Sequence, residues 1–183
     1  MSKRKKTIIL ISVLSAVLLL AGFASAPYFV SDSLVCSEFY PMADTECYQI
    51  NMVTESGSSI TGSLLAEKTA LSESYYLYTF SFNDNTYSDS YDIGRFELSL
   101  NLPEGVSVTE AFVSDGGSEY DAVTALSGTE LSCTSDSGYM RFTALLYSEY
   151  GDMAIPVGVA YKAEGKGLYS KVSLGEIKQN IVV

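Results

Sequence analysis

Apolar and polar side chains take turns along most of the chain beyond residue 46. Tyr76, Tyr78, Phe80 and Phe82 occupy every second position. Phe96, Leu98, Leu100 and Leu102 do the same, with Arg95, Glu97, Ser99 and Asn101 between them. Met140, Phe142, Ala144 and Leu146 form a third row, and Met153, Ile155, Val157, Val159 and Tyr161 a fourth. A period of two puts alternate side chains on opposite faces of a strand, so each row predicts a strand with one dry and one wet face. Turn-forming clusters punctuate them at Asn83-Asp84-Asn85, Pro103-Glu104-Gly105, Asp115-Gly116-Gly117, Gly151-Asp152 and Gly165-Lys166-Gly167. Weaker signals at 47–53, 106–113, 119–126, 129–133, 168–174 and 177–183 bring the expectation to about ten strands. The stretch 58–67 reads as a strand running into a short helical turn at 64–71. Pro156 removes a ladder donor, which predicts an edge or bulged strand. Two antiparallel sheets packed face to face are the economical way to bury these rows. The expected fold is therefore all-β, a jelly-roll-like sandwich over 46–183.

The start of the chain has a different pattern. Lys3, Arg4, Lys5 and Lys6 precede an apolar run from Thr7 to Phe23, closed by Ala24, Ser25 and Ala26. That order matches a secretory leader. Cleavage is expected near Ala26 or after Ala24. An uncut anchor is the other reading, since Ile8 to Ala26 is close to the ~17–25 residues of a membrane span. Either way the rest of the chain is expected outside the cytoplasm, secreted or at the cell surface, touching a membrane only through this segment if it is uncut. Residues 27–45 read as a linker or extended lead-in.

Charge sharpens this picture. Of the eleven Lys and Arg, four lie in the leader, whereas all 22 Asp and Glu follow it, so the exported part carries seven against 22, a net −15. Nucleic acid is excluded as a partner, because its phosphates would be repelled. Cys36 and Cys47 are candidates for a short-loop disulfide, worth at most ~2–3 kcal/mol in an oxidising compartment. Cys133 ends an alternating stretch and is expected buried.

The chain has no histidine, which removes Ser-His-Asp and Cys-His nucleophile pairs, His-ligated zinc and imidazole acid–base chemistry. No Gly-x-Ser-x-Gly elbow or Gly-rich phosphate loop occurs. No cofactor is expected, calcium excepted. The loop from Asn83 to Asp92 offers the oxygens of Asp84, Asp89 and Asp92, which suit a hard cation. Tyr75, Tyr139, Tyr147 and Tyr169 fall opposite the apolar rows, and Tyr87, Tyr91, Tyr120 and Tyr150 lie near turns. Wet-face aromatics can stack on sugars or anchor proteins, so the first four are the candidate ligand-binding residues.

The run from Gly94 to Val106, the stretch Tyr139 to Ala144, and the closing stretch Ala154 to Ala163 followed by Leu168 to Ile177 resemble the cohesin-like and carbohydrate-binding-module sandwiches of bacterial extracellular proteins. That resemblance implies a noncatalytic jelly-roll docking module. The leading expectation is a binding module for an extracellular protein or glycan. A structural subunit joined through sheet edges is the alternative, and a carboxylate-pair glycosidase is a third.

Overall fold

A computed structural model describes residues 32–43, 45–115, 119–121, 126–166 and 171–183. Its strands, in chain order, are β1 (Leu34–Pro41), β2 (Cys47–Thr54), β3 (Ser59–Ala70), β4 (Tyr75–Asp84), β5 (Tyr91–Asn101) and β6 (Val106–Ser114). They continue with β7 (Glu119–Asp121), β8 (Leu126–Ser127), β9 (Glu130–Ser135), β10 (Tyr139–Ser148), β11 (Pro156–Lys166) and β12 (Lys171–Val182). No helix occurs among the described residues. The leader lies outside them.

A seven-stranded sheet runs β1-β2-β3-β4-β10-β6-β7, and a five-stranded sheet runs β12-β11-β5-β9-β8. The strand pairs are antiparallel. The apolar rows read from the sequence line the space between the sheets. Phe80, Phe82, Phe96, Leu100, Met140, Phe142, Ala144 and Val157 are completely buried. Phe82 stacks on Phe96 across the two sheets, with ring centroids 4.0 Å apart. Burying each such large side chain contributes roughly 1.5–3 kcal/mol, so these rows determine which face of every strand turns inward.

Several expectations need correction. The described residues open with a four-strand meander, β1 to β4, because short turns force successive strands to pair; Gly57, at φ +83°, closes one of them. The chain first crosses to the other sheet at β5, and thereafter β6–β7, β8–β9 and β11–β12 each stay within one sheet. Strand β3 continues to Ala70, with no helical turn at 64–71, since Leu64 and Ala66 stay in alternating register inside the core. Within the expected lead-in, Leu34–Pro41 forms an edge strand whose Phe39 stacks on Tyr48 at 5.2 Å. Pro156 does not mark an edge: β11 lies between β12 and β5. It is tolerated as the first residue of the strand, where pairing with β5 has not begun. From Lys171 on, the two strands expected at 168–174 and 177–183 are one strand, β12, with an extra residue, Leu174, bulged opposite Ala163 and Glu164; residues 168–170 lie outside the described residues.

Candidate binding surface

Strands β4, β10 and β6 lie side by side, so their outward residues form one surface. Register places Tyr75 opposite Tyr147, and Leu77 opposite Leu145. On the other side of β10, Leu145 faces Glu110 and Thr143 faces Phe112. Phe112 is therefore the diagonal neighbour of Leu145, within reach of a ring. The Tyr75 and Tyr147 rings meet at 5.3 Å with a 59° tilt, a favoured aromatic geometry. The turn after β3 adds Leu71, whose amide donates to the Tyr75 carbonyl at 2.9 Å. Leu71 is 58% exposed, Tyr75 41% and Phe112 42%. Leu71, Tyr75, Leu77, Phe112, Leu145 and Tyr147 together make a continuous apolar surface on what a strict alternation would leave wet. Beside it, Phe112, Ser114, Arg141 and Thr143 line a shallow hollow.

Two local devices hold the end of this surface. Gly105 sits at φ +78°, and a Cβ there would lie 2.4 Å from the Tyr150 ring, so the ring rests directly on the glycine backbone. Glu149 N–H donates to the Gly105 carbonyl at 3.0 Å, joining the β5–β6 and β10–β11 turns. Lys68 fastens the loop that follows Tyr150. Its ammonium pairs with the Asp152 carboxylate, donates to the Met153 carbonyl at 2.9 Å, and lies over the Tyr76 and Tyr78 rings at 5.4 and 5.5 Å. Burial pulls the Lys68 pKa down, but hydrogen bonds to Asp152 and Tyr78 outweigh it and hold the amine above its ordinary value.

Of the predicted ligand residues, the structure brings Tyr75 and Tyr147 together. Tyr139 shares their face but lies eight residues along β10, about 27 Å away, opposite Asn83. Tyr169 lies outside the described residues. Tyr91, expected near a turn surface, is buried, and its hydroxyl donates to the Asp32 carboxylate at 2.7 Å. Leu71, Leu77, Leu145 and Phe112 were missed. The available signal was Leu77 and Leu145 themselves, which interrupt otherwise polar wet faces.

The acidic loop is not gathered around a point. Asp84 accepts from the amides of Thr86 and Ile93, both at 2.9 Å, and so caps its own loop. Asp92 faces Lys166 and Lys171 at 3.8 and 3.3 Å, while Asp89 is exposed. Among the described residues no three Asp, Glu or Cys side chains are grouped as a metal ion requires. The expected 36–47 disulfide is absent from this structure. Cys36 sits opposite Val53, six residues along β2 from Cys47, or about 20 Å at strand rise. A bridge needs Cα atoms within roughly 7 Å, and all three cysteines are free. Cys133 is buried as expected, and burial pushes its thiol pKa up to about 12.

The outer face of the five-stranded sheet has another character. Gly158, Ala160, Ser99, Ser132 and Thr134 form the floor of a trough of about 370 Å³. At one end, Glu164 and Asp92 face each other across β11 and β5. Lys171 bridges both at 3.3 Å, and Lys162 holds Glu164 at 3.1 Å. Carboxylates tied up in this way are poorly placed to serve as a free acid and base.

No family model matches the sequence, and no curated protein matches it. Solved structures do. The N-terminal domain of the Streptococcus gordonii adhesin Sgo0707 aligns at 11% identity and TM-score 0.37, over 66% of this chain and 34% of that one. This chain thus spans about a third of that structure. ACE19, the collagen-binding subdomain of the Enterococcus faecalis surface protein ACE, aligns at 6% identity and TM-score 0.37, over 64% and 92%. The GAE domain of yeast GGA1 aligns at 11% identity and TM-score 0.33, over 80% and 97%. Likeness at this level, spread over bacterial and yeast proteins, carries no assignment of ligand.

Proposed function

We propose that the protein is a noncatalytic binding module working outside the cytoplasm, secreted or held at the cell surface by its N-terminal segment. It engages an extracellular protein or glycan through the apolar face centred on Tyr75 and Tyr147. The observation that carries this reading is the register that sets those rings against each other, beside Leu77, Leu145 and Phe112, on the outside of a finished core. Rigid aromatic side chains already in contact lose little freedom on binding, which is what a recognition surface requires. Strand addition at β1 or β12 is the weaker alternative. Exposed Glu38 on β1, and exposed Lys171, Glu176 and Lys178 on β12, are charges of the kind that discourage edge pairing.

The test is binding of the purified chain to arrays of extracellular proteins and of glycans, beside a Tyr75→Ser/Tyr147→Ser variant. A ligand held by the wild type should be weakened about 30-fold or more in the variant, as for loss of one strong aromatic anchor, with the melting temperature little changed. Ligand binding that survives the double substitution overturns the assignment.

A further inference from the structure

The two sheets divide the charge unevenly, and the division points to the partner. Strands of the five-stranded sheet carry Arg95, Lys162, Lys166, Lys171 and Lys178 against Asp92, Glu97, Glu130, Glu164 and Glu176, so that sheet is balanced. Strands of the seven-stranded sheet carry six acids against Lys68 and Arg141. Lys68 is turned away, into its contact with Asp152 and Met153. Among the described residues Arg141 is thus the one cation on the outer face of that sheet.

The acids are not spread at random around the apolar surface. Glu110 on β6 stands directly beside Leu145, and on the opposite side Glu67 on β3 pairs with Thr79, one diagonal step from Leu77. At the Tyr75–Tyr147 end, Glu73 follows Leu71 in the β3–β4 turn, while Glu104 and Glu149 sit on the two turns joined through Gly105. All five are exposed. An exposed apolar centre bordered by carboxylates repels acidic partners and gives a neutral sugar no use for its rim. It complements an apolar anchor surrounded by Lys or Arg, with the rim speeding encounter.

Resting on the binding surface proposed above, we infer that its partner is a basic protein segment: one Trp, Tyr, Phe or Leu seated on the Tyr75–Tyr147 end, with Arg or Lys on either side reaching Glu67, Glu110 and Glu149. The glycan alternative becomes an outcome of the test.

The experiment pans a random dodecapeptide phage library on the purified full-length chain, with counter-selection on the full-length Tyr75→Ser/Tyr147→Ser variant. The expected result is enrichment of peptides pairing an aromatic or leucine with two or more Arg or Lys. Their affinity should fall about tenfold between 50 and 500 mM NaCl, and comparably in a Glu67→Gln/Glu110→Gln/Glu149→Gln variant. Those three glutamates are exposed, and surface substitutions of this kind change stability little, so this variant, with its melting temperature measured alongside, reads the rim alone. Selected peptides without basic residues, or with salt-insensitive affinity, overturn the basic partner while leaving the surface in place. So does a neutral glycan whose binding is lost with the two tyrosines. Failure to recover any peptide or glycan that distinguishes wild type from the tyrosine variant overturns both.

Discussion

Asp32 shows how one side chain ties the entrance of the domain to its core. Its carboxylate accepts from the Tyr91 and Ser56 hydroxyls, both at 2.7 Å, and from the Ser56 amide at 3.2 Å. The Ser56 hydroxyl and then the Tyr91 hydroxyl hold its pKa well below the usual carboxylate range. A depressed folded value stabilises above the unfolded pKa and loses that contribution as pH falls through the folded one. Asp32→Asn should therefore lower the melting temperature at neutral pH. The gap to wild type should close only below about pH 4; a gap that is constant down to pH 2 would refute the linkage. The cysteines make a separate case. A maleimide at pH 8 should label exposed Cys36 quickly and Cys133 only after unfolding, because burial keeps Cys133 a thiol with pKa about 12. Intact mass under oxidising conditions should show no intramolecular loss of two hydrogens, given the separation of Cys36 and Cys47.

At the scale of strands, the contact between β5 and β11 is held by a glycine. A Cβ on Gly94 would lie 1.8 Å from the Glu164 carboxylate, which is only 8% exposed and fixed by Lys162 and Lys171. Gly94→Ala should push Glu164 out of those pairs and cost about 1–3 kcal/mol, as overpacking does. A denaturant midpoint equal to wild type would show that Glu164 moves aside freely. Gly94 was legible in the sequence only as part of an alternating strand, and that explains the limits of the reading. Rows such as Phe96-Leu98-Leu100 are written within one strand, so their periodicity declares the buried face. Tyr75 meeting Tyr147, or Asp92 meeting Glu164, depends on which strands are neighbours and in what register, information no single strand contains. Leu77 and Leu145 were passed over because the alternation assigns them to the wet side. Pro156 misled for a related reason: the missing amide limits where a proline sits along a strand, and says nothing of that strand's place in the sheet when it comes first. Strand β1 escaped notice because an edge strand with one half-buried face has little periodicity to show.

For the whole molecule the dominant fact is a net −15 carried outside the five-stranded sheet, on the strands of the seven-stranded sheet and on the loops, while the strands of the five-stranded sheet are balanced and laced with ion pairs. These two halves respond to salt in opposite ways. Screening relieves repulsion among the carboxylates of the seven-stranded side, which stabilises the compact state, and weakens the exposed pairs of the five-stranded side, which destabilises it. Exposed pairs contribute only about 0–1 kcal/mol each, so relief of repulsion wins. Raising NaCl from about 10 to 500 mM, which shortens the screening length from ~30 to ~4 Å, should raise the melting temperature by a few degrees; a fall would mean that the ion pairs dominate. Calcium chloride at matched ionic strength separates screening from site binding. Because Asp84 is committed to the Thr86 and Ile93 amides and Asp92 to lysines, calcium should shift the melting temperature no further than magnesium does. A calcium-specific increment that saturates with concentration would require those carboxylates to give up their present partners, and would move the acidic loop from a capped turn to an ion-binding one.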